Sequence, residues 1–201
     1  MKIGAAIAIA MVAGGLAGAA FVSAVRAPSI ADAKPQPSAG KNVDAVWNDA
    51  KWPFPQDQFD NGRAFVCNPS DCGVRVEVFL RPKIGFCNCS TGVSDDAELE
   101  RVADTELVSR EVAPLAAGQP IKVGWMYGRA RVYRPVDGNK SAARLISFAF
   151  NDECDAVVAV ARFDNGDPTV IEPAVLSLLN QRPVVLWAKK ELGLEFVKRE
   201  W

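Results

Sequence analysis

The feature that most constrains this chain of 201 residues is an uncharged apolar run at residues 3–25, which lies between Lys2 and Arg26. At helical rise, about 23 residues extend roughly 34 Å, enough to cross the hydrocarbon core of a bilayer. The run is long for a secretory signal, but its many Ala and Gly residues contribute little to membrane insertion. We therefore predict that residues 1–26 are either a cleaved signal peptide or an N-terminal membrane anchor, a transmembrane helix that tethers the protein through residues 3–25.

The sequence that follows the apolar run predicts a tether and then one exported domain. Residues 27–41 contain three prolines and few large apolar side chains, a composition typical of a flexible linker. Residues 42–201 are long enough to form a single domain with its own core. Because Lys2 favours an amino terminus inside the cell, we expect this domain to be secreted, in the periplasm or the extracellular space.

Composition excludes several classes of function. The formal net charge is −1, and a weakly acidic exported domain is poorly suited to neutralise nucleic-acid phosphates. The chain contains no histidine, which excludes Ser-His-Asp and Cys-His catalysis and histidine-ligated metal sites within it. It also lacks the glycine-rich motifs that bind nucleotide phosphates. We therefore predict no nucleic-acid partner and no cofactor, and we favour a role that is not enzymatic.

The pattern of apolar residues predicts an α+β fold. Period-two alternation or short apolar runs predict strands at 63–67, 73–83, 121–133, 144–150 and 156–163. The last two strands form a hairpin. Ser94 and the acids that follow it predict a helix at 95–104, and residues 173–192 predict one or two C-terminal helices. The aromatic and proline-rich segment 47–55 is expected to be irregular. The predicted fold is a small, mainly antiparallel sheet with one central helix and one or two C-terminal helices, stapled by disulfides.

Export predicts that the five cysteines form disulfides, because thiols in an oxidising compartment tend to pair. They are Cys67, Cys72, Cys87, Cys89 and Cys154. The turn-forming spacer between Cys67 and Cys72 favours a local bridge. We predict a second bridge between Cys154 and either Cys87 or Cys89, which leaves one thiol unpaired.

In an alternative interpretation, the cysteines bind a metal or exchange disulfides instead of stapling the fold. Cys87, Cys89 and Cys154 together offer sulfur ligands for a soft metal such as Cu(I) or Zn(II). In a second version, Cys87 and Cys89 exchange disulfides with a partner, although their spacing differs from the usual CxxC redox motif.

A cluster of cations and aromatic side chains predicts a binding surface. Arg129 and Arg131 are expected to share one strand face with Trp125 and Tyr127. Such a face suits an acidic protein, an anionic glycan or the envelope surface, because guanidinium groups bind anions and stack on rings. The same pattern also fits a solvated sheet face whose charges pair with neighbouring carboxylates.

Three functional hypotheses follow from these observations. The first is an exported cell-envelope domain that acts as a binding or structural, accessory module for an unknown protein, glycan or envelope-surface partner. The second is a soft-metal-binding or thiol-exchange protein that uses Cys87 and Cys89. The third is hydrolysis by a pair of carboxylates, for which the sequence points to no particular pair.

Overall fold

The structure, a computed structural model, describes residues 45–59, 62–136 and 143–194. The predicted leader and linker therefore lie outside the described residues. The strands are β1 Trp47–Ala50, β2 Arg63–Cys67, β3 Val76–Lys83, β4 Val112–Pro114, β5 Gln119–Val123, β6 Met126–Pro135, β7 Ala143–Asp152 and β8 Asp155–Asp164. The helices are α1 Pro69–Cys72, α2 Asp96–Val102, α3 Pro168–Leu179 and α4 Arg182–Glu191, with a 3₁₀ turn at Thr105–Leu107.

The strands form one antiparallel sheet in the order β1-β2-β3-β8-β7-β6. Beyond β6, β5 pairs with its first half and β4 pairs with its last residues. The predicted hairpin is present as β7 and β8, whose turn places Glu153 at a φ of 53°. The central strands β3, β8 and β7 thus have a strand neighbour on each side.

Both faces of the sheet are covered over its centre. On one face, α3 and α4 pack against aromatic side chains such as Phe148, and Leu178 is fully buried there. On the other face, Leu99 and Val102 of α2 pack against Ala149, Ala156 and Val158. A strand covered on both faces has a nearly continuous apolar sequence, which explains why β8 lacks a clear alternation.

The structure confirms the α+β class and the disulfides but corrects four parts of the prediction. The sheet has eight strands in the described residues, so it is not small. Helix α2 is not a single central helix, because α3 and α4 cover the other face of the sheet. The run 121–133 is two strands, because Gly124 at a φ of 59° turns the chain between β5 and β6. Trp47–Ala50, expected to be irregular, is an edge strand because it pairs with β2.

The C-terminal region contains both helices allowed by the sequence. Helix α3 begins earlier than predicted, at Pro168, because the Asp167 carboxylate caps the Thr169 N–H at 2.9 Å. Pro173, the first residue of the predicted helical range, lies inside α3. In the part of the chain that the structure describes, no helix is both long and apolar enough to cross a bilayer.

Candidate functional site

Two disulfides staple the fold. Cys67 at the end of β2 bonds to Cys72 at the end of α1, with their Cα atoms 6.0 Å apart. Cys89 bonds to Cys154 across a sequence separation of 65 residues and ties the segment after β3 to the β7–β8 turn. Of the two partners predicted for Cys154, the structure thus contains Cys89.

Cys87 is the remaining thiol, and it is buried with only 6% of its surface exposed. Its Sγ donates a hydrogen bond to the carbonyl oxygen of Glu153 at 3.2 Å. Burial, followed by the nearby charge of Glu98, raises the pKa of Cys87 to about 11. A thiol with this pKa is protonated at neutral pH and is therefore a weak nucleophile.

A soft-metal site was predicted at Cys87, Cys89 and Cys154. Two of these three sulfur ligands are not available in the structure, because Cys89 and Cys154 form a disulfide with each other. Among the described residues, no group of three or more His, Cys, Asp or Glu side chains is arranged to hold a metal ion. The arrangement of these cysteines therefore supports a structural role.

The predicted basic face is only partly assembled as expected. Tyr127, Arg129 and Arg131 lie on one face of β6, opposite Asn151, Ala149 and Ser147 of β7, respectively. Trp125 does not join them: it lies in the turn before β6 and packs against the core on the other face. The turn at Gly124 ends the strand periodicity that placed Trp125 with the arginines.

Helix α2 covers the two arginines of this face. The Nε of Arg129 donates to Asp96 at 2.8 Å, and the Nη1 of Arg131 donates to Glu100 at 2.6 Å. Each guanidinium also donates to a backbone carbonyl of the segment between β4 and β5. These contacts give both arginines an anchoring role, while partner binding through Arg129, Arg131, Trp125 and Tyr127 stays a prediction.

A buried charge cluster, which sequence reasoning missed, lies on the same face of the sheet. Arg81, 3% exposed, donates to Asp104 at 2.5 and 3.0 Å and to Asp57 at 2.6 Å. The Nζ of Lys83 contacts Asp104 at 2.5 Å and donates to the Val102 carbonyl oxygen at 2.8 Å. Burial opposes the charge of Arg81, but its hydrogen bonds to both carboxylates outweigh that effect and raise its pKa. The alternation of β3 had suggested a solvated face for Arg81.

The irregular residues 51–59, here called the strap, lie across this face next to the cluster. Asp57 fixes the strap through Arg81, and Trp52 and Phe54 pack edge-on against Phe79 of β3, with ring centroids 6.2 and 4.8 Å away. A Cβ atom at Gly62 would lie 2.1 Å from the Leu80 carbonyl oxygen, so only glycine fits where the chain enters β2. The strap is therefore held to the sheet by both charge and aromatic packing.

A groove of about 370 Å³ opens between the strap and the 3₁₀ turn. Strand register aligns three of its lining residues, because Val66 of β2, Glu77 of β3 and Arg162 of β8 lie opposite one another in one cross-strand row. No residue of α2, α3 or α4 lines the groove. Its lining is Ala50, Lys51, Pro53, Phe54, Val66, Arg75, Glu77, Phe79, Leu107, Val108 and Arg162.

The rim of the groove carries more positive than negative charge. Lys51, Arg75 and Arg162 line it together with a single carboxylate, that of Glu77. Arg75 Nη2 donates to Glu77 Oε1 at 3.0 Å, whereas Arg162 Nη1 lies 3.9 Å from Glu77 Oε2. An adjoining depression of about 260 Å³ shares both arginines and Glu77 with the groove.

The sequence predicted only part of the groove. The alternation of β3 indicated that Arg75, Glu77 and Phe79 share a face, but nothing placed Lys51 or Arg162 beside them. The 3₁₀ turn, which supplies Leu107, lies just beyond the helix predicted at 95–104.

Comparison with protein-family models and with curated proteins found no match for this sequence.

Proposed function

We propose that this protein is an exported binding module of the cell envelope, stapled by disulfides, and that the groove is its ligand site. The observation that carries the proposal is the groove itself, a preformed concavity with an apolar lining and a charged rim. Its volume of about 370 Å³ falls within the range of roughly 300–1,000 Å³ that is usual for small-molecule sites.

Export is supported by the chemistry of the cysteines. Four of the five are paired in two disulfides, and such bridges persist in oxidising compartments but are rare in the cytosol. The uncharged apolar run at residues 3–25 independently favours export.

Binding is supported over catalysis by the groups that line the groove. Its cationic groups are guanidinium and ammonium groups, which bind anions but are poor proton acceptors at neutral pH. Its one carboxylate, Glu77, accepts hydrogen bonds from Arg75. The strap that forms one wall is fixed by the Asp57–Arg81 ion pair, so the site is already shaped before a ligand arrives.

The proposal is tested by a substitution in the wall of the groove that blocks the space for a ligand. In the Leu107→Glu variant, a carboxylate would enter the groove and pair with its cations. The matched control is Leu186→Glu on α4, where the native leucine is 52% exposed and lies outside the groove. Both variants add one negative charge at a leucine on the surface or close to it.

The readout is the set of backbone amide chemical shifts of the full protein, titrated with small organic acids, sugars and amino acids. We expect at least one compound to shift the amides of Val66, Phe79 and Val108 in the natural protein and in Leu186→Glu, but not in Leu107→Glu. Shifts that survive in Leu107→Glu, or that occur only outside the groove, would overturn the assignment of the site.

A further inference from the structure

We infer that the groove selects small molecules that combine an apolar body with a carboxylate, and that the carboxylate binds at the rim to Arg162 and Lys51. This inference rests on the proposed function, since it names the class of ligand for the same site. It follows from three properties of the groove: its charge balance, the availability of Arg162 and its apolar lining.

Charge balance favours an anion. Three cationic side chains line the groove against one carboxylate, and that carboxylate is already hydrogen-bonded to Arg75. Lys51 is exposed and forms no ion pair with any residue in the described ranges. A ligand carboxylate would supply the missing negative charge, whereas a cationic ligand would meet repulsion from the rim.

Arg162 is the cation best placed to receive the ligand. Its side chain is 35% exposed, and the 3.9 Å that separates it from Glu77 is too long for a hydrogen bond. Its guanidinium can therefore offer two parallel N–H groups to a carboxylate without breaking a strong internal bond. The planar fork of arginine matches the two oxygens of a carboxylate, which gives charge-assisted hydrogen bonds.

The apolar lining of the groove favours a ligand with an apolar ring or short chain. Phe54 and Phe79 meet edge-on with centroids 4.8 Å apart, and Val66 and Leu107 extend the apolar lining. Phe79 lies opposite Val160 of β8, and Arg162 is two residues further along the same face, so the cation is a diagonal neighbour of this apolar surface. A molecule with an apolar body and a terminal carboxylate therefore matches both parts at once.

Three probes of similar size separate the recognition of charge from the filling of the groove. They are phenylbutyrate, its primary amide and phenylbutylamine, which carry a negative, a neutral and a positive end group. Each is titrated into the full protein while the amides of Val66, Phe79 and Val108 are followed. We expect phenylbutyrate to bind about tenfold more tightly than the amide, and the amine to bind most weakly.

The double variant Arg162→Gln, Lys51→Gln tests which cations are responsible. We expect it to reduce the affinity for phenylbutyrate about tenfold and to leave the affinity for the amide unchanged. The control variant Arg182→Gln, Lys190→Gln removes two exposed charges from α4, outside the groove, and should change neither affinity.

The possible failures are distinguishable. If the amide and the acid bind the groove equally, the groove is a ligand site but selection of a carboxylate is wrong. If the double variant binds the acid as tightly as the natural protein does, the roles of Arg162 and Lys51 are wrong. If no probe shifts a groove amide while the library of the preceding experiment does, only the inferred class of ligand fails. If neither does, the proposed function fails as well.

Discussion

Asp104 lies 2% exposed between Arg81 and Lys83, which are themselves buried. Two buried cations depend on this one buried carboxylate, and Asp57 at the surface contributes the remaining negative charge to Arg81. Removing one partner from a buried ion pair leaves a charge that neither water nor protein compensates. Asp104 is therefore the residue in the cluster whose loss has the largest expected consequence for stability.

We predict that Asp104→Asn lowers the free energy of unfolding by about 3–5 kcal/mol, because the shape is kept while buried Lys83 loses its carboxylate partner and buried Arg81 keeps only Asp57 at the surface. The measurement is urea denaturation of the natural protein and of the variant. Asp49→Asn is the control, since Asp49 pairs with Arg63 at an exposed position and such pairs contribute less than about 1 kcal/mol. Equal losses in the two variants would contradict this account of the cluster.

Cys87 yields a prediction about reactivity. Its pKa, raised to about 11 by burial and by Glu98, keeps the thiolate fraction low at neutral pH. We expect iodoacetamide to modify Cys87 in the native protein far more slowly than in the unfolded, unreduced protein. The native rate should continue to rise with pH above the usual thiol value of 9.0. Rapid native modification at pH 7 would instead favour the thiol-exchange hypothesis.

At the scale of elements, the acids of helix α2 and its first turn cap the helix, and Asp96 ties it to Arg129 of β6. The Asp95 side chain caps the helix by accepting from the Glu98 N–H at 2.8 Å. Hydrogen bonds from the Gly118 N–H and then from Arg129 hold the pKa of Asp96 below its usual 3.8. Hydrogen bonds from Arg101 and the Asn88 N–H likewise hold the pKa of Glu98 below its usual 4.5.

These shifts predict that acid weakens the attachment of α2. A carboxylate with a lowered folded-state pKa stabilises the fold above its unfolded-state pKa, and that contribution is lost as the pH falls through the folded-state value. We expect the free energy of unfolding to fall as the pH is lowered below about 4. Asp96→Asn should show a shallower fall, since it lacks one of the responsible carboxylates. Identical pH profiles for the variant and the natural protein would contradict this role of Asp96.

Elements with a clear local signal were predictable, and those defined by distant partners were not. The range 63–67 and the hairpin of β7 and β8 follow from apolar runs and turn residues close in sequence. β1 was missed because an edge strand of four residues is defined by its pairing with β2 and not by its own composition. The split between β5 and β6 depends on the positive φ of Gly124, which a run of apolar residues conceals.

The same contrast applies to the candidate site. The Cys67–Cys72 bridge was predictable because the short turn-forming spacer, which forms most of α1, keeps its ends close. The groove was not, since it combines β2, β3 and β8 with the strap and the 3₁₀ turn, and the pairing of β3 with β8 joins residues about 80 apart. The burial of Arg81 was also hidden, because strand alternation assigns charged residues to the solvent when no covering segment is foreseen.

At the scale of the whole molecule, the two faces of the sheet are covered by different elements. One face is packed beneath α3 and α4, and the other is shared by α2, the strap and the groove. The disulfides lie at two places: one joins β2 to α1, and the other joins the segment before α2 to the β7–β8 turn. This arrangement suits a domain that keeps a preformed site in an oxidising compartment, where bridges constrain the unfolded chain.

The central claim is that the natural protein is exported and carries these two bridges, and counting its free thiols tests that claim most directly. The protein is purified from its own cells, unfolded without reductant, treated with iodoacetamide and weighed by mass spectrometry. The account predicts one adduct before reduction, at Cys87, and five after reduction, because the chain has five cysteines. Five adducts before reduction would contradict it.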